Sequence, residues 1–161
     1  MQKVLVVDPE KCTGCGICES ACGFSHTTSC NPVRARIKVV KWEPEGVDIP
    51  IFCQQCEKPV CADVCPVGAI KRDEKTGALL HNYDICLGCK MCMIACPIGG
   101  ASIDPVEGKL IKCDLCGGDP QCAKLCPTKA IEYMRADSAG MVKKRKGAEM
   151  LKNIKSLLSG N

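Results

Sequence analysis

Aromatic side chains are scarce in this chain: phenylalanine, tryptophan and tyrosine together make up 3% of its 161 residues. The length suits a single domain, but an ordinary core built on large aromatic anchors is excluded. Long apolar runs are missing too. None approaches the roughly 18 residues needed to span a bilayer, so no transmembrane anchor is expected. Histidine occurs only as His26 and His81. There is no phosphate loop of the G-x-x-x-x-G-K type and no dinucleotide fingerprint, so nothing reads as a catalytic site and the chain is not expected to be an enzyme by itself. Met1 to Val7 is too short for the apolar part of a secretory signal, and Asp8-Pro9-Glu10 follows at once. No twin-arginine pair precedes the first motif. The expected compartment is the reducing cytoplasm.

What the chain has instead is cysteine, 17 in all. Sixteen of them fall into four quartets: Cys12, Cys15, Cys18, Cys22; Cys53, Cys56, Cys61, Cys65; Cys86, Cys89, Cys92, Cys96; and Cys113, Cys116, Cys122, Cys126. The first and third have gaps of two, two and three residues, the run that holds [4Fe–4S] clusters. The second and fourth keep the outer gaps and widen the middle one to four and five. A disulfide framework would not make gaps of two recur, and it would leave one thiol over. Structural zinc takes well-separated pairs, or a pair with histidines; here a third and fourth cysteine crowd each pair. Sixteen thiolates at four per cluster make four [4Fe–4S] clusters. The seventeenth, Cys30, lies eight residues past its quartet, finds no vacant position, and is expected not to be a ligand. His26 is expected to be a loop residue and not a ligand for the same reason.

Charge follows from the clusters. The formal net charge is +4 and the pI is 8.3. Each oxidised cluster with its four thiolates carries about −2. The assembled protein therefore sits near −4, the formal +4 being offset by about −8. Nucleic-acid binding loses its cationic footprint.

Short β-branched runs alternate with the cysteine loops: Val4–Val7, Arg36–Val40, Ile49–Phe52, Ala69–Arg72, Ala78–His81, Lys109–Lys112 and Ala130–Tyr133. These read as strands. Each fourth cysteine lies where a short helix is expected: Ile17–Gly23, Val60–Cys65, Met91–Cys96 and Gln121–Cys126. The expected fold is α+β: two bacterial-ferredoxin-like β-α-β modules, stabilised by their clusters. Pro66, Pro97 and Pro127 each follow a fourth cysteine and turn the chain out of its helix. Gly23 stands where the first quartet would have proline, and a longer insert, Phe24 to Phe52, follows. Trp42 in that insert is expected to pack across strands. After Tyr133 cysteine disappears. Lys143, Lys144, Arg145 and Lys146 begin an amphipathic tail helix of about 15 residues, with Leu151, Ile154 and Leu158 at helical spacing. That stripe needs a surface: its own modules, another subunit, a second copy of the chain in a head-to-tail array, or a membrane face.

In order, the quartets resemble the dimethyl-sulfoxide-reductase iron–sulfur subunit family, over residues 3–133. The resemblance rests on the ferredoxin runs together with Cys53-Gln54-Gln55-Cys56-Glu57-Lys58-Pro59-Val60-Cys61 and Cys113-Asp114-Leu115-Cys116-Gly117-Gly118-Asp119-Pro120-Gln121-Cys122. It implies an electron-transfer subunit relaying electrons between a tungsten- or molybdenum-pterin catalytic subunit and a second redox partner, such as a flavin subunit or a ferredoxin. A soluble aldehyde or formate oxidoreductase is the first expectation. It also implies that the outer quartets pair with each other and the inner two form an inserted module. One cluster then takes Cys12, Cys15, Cys18 and Cys126, and its neighbour Cys22, Cys113, Cys116 and Cys122. The third takes Cys53, Cys56, Cys61 and Cys96, and the fourth Cys65, Cys86, Cys89 and Cys92. The modules would span residues 1–52 with 105–135, and 53–104, leaving 136–161 as the tail. Spacing alone equally permits first with second and third with fourth quartets. A free polyferredoxin carrier and a self-assembling electron-conducting chain are the rival functions.

Overall fold

The computed structural model describes residues 2–158, apart from the side chains of 153 and 155–158. Along the chain run β1 (Lys3–Val7), α1 (Ile17–Thr27), β2 (Lys38–Trp42), β3 (Val47–Ile51), α2 (Val60–Asp63), β4 (Ile70–Arg72) and β5 (Leu79–His81). Then come α3 (Met91–Ile94), β6 (Ala101–Ile103), β7 (Leu110–Lys112), α4 (Gln121–Lys124), β8 (Ile131–Arg135) and α5 (Ala136–Leu158). The strands form separate two-stranded antiparallel ribbons: β1 with β8, β2 with β3, β4 with β5, and β6 with β7. The first ribbon joins the two ends of the cysteine-bearing region, from Lys3 opposite Arg135 to Val7 opposite Ile131. Helix α1 packs on α4, and α2 on α3.

Such ribbons are marginal alone. They are held by a core in which Leu5, Ile37, Phe52, Leu115 and Ile131 surround Cys18, Cys22, Cys122 and Cys126. Thiols occupy the interior positions that aromatic rings would fill elsewhere.

Several expectations are corrected. In the last three quartets the short helix ends before the fourth cysteine: Cys65, Cys96 and Cys126 lie just past α2, α3 and α4. The following proline disfavours helical backbone at the residue before it. In the first quartet the helix does not stop at Gly23 but continues to Thr27, and Thr28 ends it in a left-handed conformation. His26 is therefore a helical residue, not a loop residue. A side chain at Gly23 would meet the Asn31 carbonyl oxygen at 2.5 Å, so glycine is what lets the insert fold back on α1. Strand β2 lies two residues later than expected and includes Trp42, which pairs with Val47 across the ribbon and is half-exposed. Strand β6 was not expected; its three residues are too few for a period-two pattern to register. It pairs with β7, and that pairing spans the expected boundary between residues 104 and 105. Helix α5 starts directly after β8 and has 23 residues, not about 15. The side chains of Leu157 and Leu158, and residues 159–161, lie outside the described residues.

Candidate iron–sulfur sites

Cys12, Cys15 and Cys18 of the first quartet share a narrow cavity with Cys126 from the far end of the chain, walled by Ile17, Val39 and Ile131. Cys22 does not join its own quartet. It lines a second narrow cavity with Cys113, Cys116 and Cys122, between Leu5 and Phe52. A larger cavity of about 270 Å³ is lined by Cys65 with Cys86, Cys89 and Cys92, and by His81 and Tyr83. Of the remaining four, Cys61 is pushed up by burial, while Lys112 pulls it down and the neighbouring Cys53 and Cys96 raise it. Cys56 is exposed on the loop joining Cys53 to Cys61. Cys30 is exposed and lines none of these cavities.

Backbone amides point at the fourth cysteines. The Ala69 amide donates to Cys65 Sγ at 3.2 Å, and the Gly100 amide to Cys96 Sγ at 3.2 Å, each four residues on. Cys22 has no such neighbour, because α1 continues past it; its donor is the amide of Arg36, at 3.3 Å, returning from the insert. Burial would raise the Cys65 thiol, but the amides of Ala69, Val67, Gly68 and Ile70 outweigh it and the thiol is lowered. Cys126 behaves alike: burial is overcome by the amide of Ile131, the Thr128 hydroxyl and the amide of Ala130. Amides aimed at sulfur stabilise thiolate.

The deeper thiols go the other way. Burial pushes Cys18 and Cys113 up to about 12. A metal-free chain would hold them protonated, so ligation there must release protons. Four thiols round an apolar cavity, with amide donors to sulfur, form the donor set of an iron–sulfur cluster. Such a group, when bound, takes up and gives back single electrons.

Polar groups that the sequence did not mark complete the sites. His26 Nε2 lies 3.1 Å from Asp114 Oδ1, its Nδ1 is 2.8 Å from the Cys22 carbonyl, and Arg36 Nη1 is 2.5 Å from Asp114 Oδ2. The Asp114 carboxylate pushes His26 up to about 10. Burial alone would raise Asp114, but His26 and Arg36 hold it well below the usual carboxylate range. His26, Asp114 and Cys116 converge closely enough to hold an ion. Yet Cys116 lines the second cavity, and His26 is already held by Asp114 and the Cys22 carbonyl. Lys112 and Gln55, both buried, bridge the inner and outer quartets. The one sequence signal for Lys112 was a charge in an otherwise apolar triplet next to Cys113.

Short ribbons closing over cysteine-lined cavities define a ferredoxin-type iron–sulfur protein. The chain belongs to the 4Fe-4S dicluster domain family, whose model matches residues 46–136, while residues 5–24 match a 4Fe-4S binding domain. It is 38% identical over 122 residues to the polyferredoxin-like subunit of aliphatic sulfonate oxidoreductase from Pyrococcus furiosus, covering 76% of this chain and 70% of that one. It is 33% identical over 155 residues to the uncharacterized ferredoxin MJ0265 of Methanocaldococcus jannaschii, covering 96% and 86%. Among solved structures it resembles a chain of the active site complex BamBC of benzoyl coenzyme A reductase, with a TM-score of 0.50, 26% identity and coverage of 82% and 75%. The protein is thus an iron–sulfur electron-transfer protein of the kind found as subunits of oxidoreductase complexes. Among the described residues no helix is long and apolar enough to cross a membrane.

Proposed function

We propose that this chain is a cytoplasmic relay subunit carrying four [4Fe–4S] clusters between a catalytic oxidoreductase subunit and a second redox partner. The ligand sets are Cys12, Cys15, Cys18, Cys126; Cys22, Cys113, Cys116, Cys122; Cys53, Cys56, Cys61, Cys96; and Cys65, Cys86, Cys89, Cys92. One observation carries the reading: fourth cysteines share cavities with cysteines of another quartet, Cys126 with the first and Cys22 with the fourth. That is the ligand exchange of two-cluster ferredoxins, and it supports pairing the outer quartets. The β1–β8 ribbon and the α1–α4 contact support an outer module of residues 1–52 and 105–135. The α2–α3 contact supports an inserted module over 53–104, the two meeting in the β6–β7 hairpin.

The catalytic partner is proposed to be a tungsten- or molybdenum-pterin subunit, on the family resemblance. The relatives named for aliphatic sulfonate oxidoreductase and benzoyl coenzyme A reductase favour a complex over a freely diffusing carrier. A second reading, self-association through the tail, is favoured by the exposed Met150, Leu151 and Ile154 on α5.

Anaerobic purification of the untagged protein with whatever copurifies, followed by metal analysis, tests all of this. About sixteen irons per chain, with tungsten or molybdenum in the same peak, is the expected result. Sixteen irons alone would favour the free carrier or the self-assembling chain. Zinc with little iron would overturn the four-cluster reading.

A further inference from the structure

Lys112 ends β7 directly before Cys113, yet its side chain turns away from solvent and is only 4% exposed. Its Nζ donates to Cys53 Sγ at 3.2 Å and to the Leu79 carbonyl at 2.9 Å. Among the described residues no carboxylate lies within ion-pair distance of it. A buried ammonium without an opposite charge is costly, and proteins pair such groups as a rule. The anionic group on offer is the Cys53 thiolate of the second quartet, at bonding distance from the lysine.

The surroundings hold this pair in place. A side chain at Gly100 would sit 2.8 Å from the Cys53 Cα, so the chain entering β6 is pressed against that cysteine, which is itself buried. Gln55 Oε1 accepts the Leu79 amide at 2.7 Å and its Nε2 donates to the Cys113 carbonyl at 2.8 Å. Leu79 is therefore gripped on both sides, by Lys112 through its carbonyl and by Gln55 through its amide. The bonds link Cys53 to Cys113, the point where the second and fourth quartets meet.

We propose that Lys112 is the built-in counter-charge of the cluster held by Cys53, a potential-setting residue at the junction between the outer and inner quartets. The inference rests on the four-cluster reading above. Reduction adds one electron, drawn from a neighbouring cluster, and takes the cluster with its thiolates from about −2 to about −3 with no proton taken up. A fixed positive charge in a buried site stabilises the more negative state. The cluster at Cys53 is thereby made easier to reduce, which draws electrons across the junction from the Cys113 side.

The test compares the full-length protein with Lys112→Met and Lys112→Arg, purified anaerobically, by iron content and by potentiometric titration followed with paramagnetic resonance. In Lys112→Met one reduction equilibrium is expected to weaken at least tenfold, about 59 mV for one electron, while the other three hold. Lys112→Arg is expected to recover most of the shift. Unchanged potentials in a Lys112→Met protein with full iron overturn the proposal. Should Lys112→Met lose about four irons, retention by Lys112→Arg supports the counter-charge; loss from both shows that shape, not charge, is required and overturns it. Iron well below about sixteen per chain in the unaltered protein would instead sink the four-cluster reading itself.

Discussion

At the scale of single residues, the cysteine pattern was open to reading because a cluster imposes its own local spacing. Three thiolates must converge from one short loop, and that demand is written in consecutive residues. The groups around them were not. His26, Arg36 and Asp114 are 10, then 78, positions apart in the chain and meet only because the insert folds back over α1. Gly23, inside α1, leaves room for that return. Gly23→Ala would drive a methyl into the Asn31 carbonyl, and it is expected to destabilise the assembled protein by about 1–3 kcal/mol, measured by denaturant unfolding under anaerobic conditions. A second strap binds the insert: Arg34 donates from Nε and Nη2 to the buried Asp104, at 2.8 and 2.7 Å to Oδ2. The guanidinium holds the Asp104 carboxyl below its ordinary value of 3.8. A carboxylate lowered on folding contributes stability above its unfolded value and loses it as pH falls through its folded one. The coupling between Arg34→Met and Asp104→Asn in a double-mutant cycle is thus expected to stay flat from about pH 8 to about pH 5. A decline within that window would contradict the pairing.

Among secondary-structure elements, the four short helices appeared where expected, but their ends moved. Three stop before the fourth cysteine because proline follows it, and the first runs on because glycine does. The tail helix was visible as a basic, periodic segment, though its length was not. Its first turns bury Ala139 and pack on β1 and β8. Lys146 anchors it, paired with Asp8 and lying 3.3 Å from Glu10. Beyond that anchor Met150, Leu151 and Ile154 are exposed. Removing residues 147–161 is expected to leave iron content unchanged and to alter stability little, since the described side chains of 147–152 and 154 are exposed. Light scattering on a sizing column would show the loss of any larger assembly. Iron loss on trimming would mean that the segment packs on the body after all.

For the whole molecule, the ribbons are too short and the aromatics too few to form a stable body by themselves. Four cysteines sit within the hydrophobic core itself, so folding and metal binding are coupled. Stripping iron anaerobically with a chelator is expected to abolish the far-ultraviolet circular dichroism of α1 and the ribbons in step with iron release. Retention of that signal in iron-free protein would show that the apolar contacts suffice.

The sequence by itself determined the chemistry of this protein: sixteen thiols in four crowded groups, few aromatic residues and no catalytic motif, because ligand spacing and composition are local properties. Which cysteines share a cavity, and where Lys112 puts its charge, were decided only by the tertiary structure. Those partners lie tens of residues apart, and only the closing of β1 on β8 and the packing of helix on helix bring them within reach.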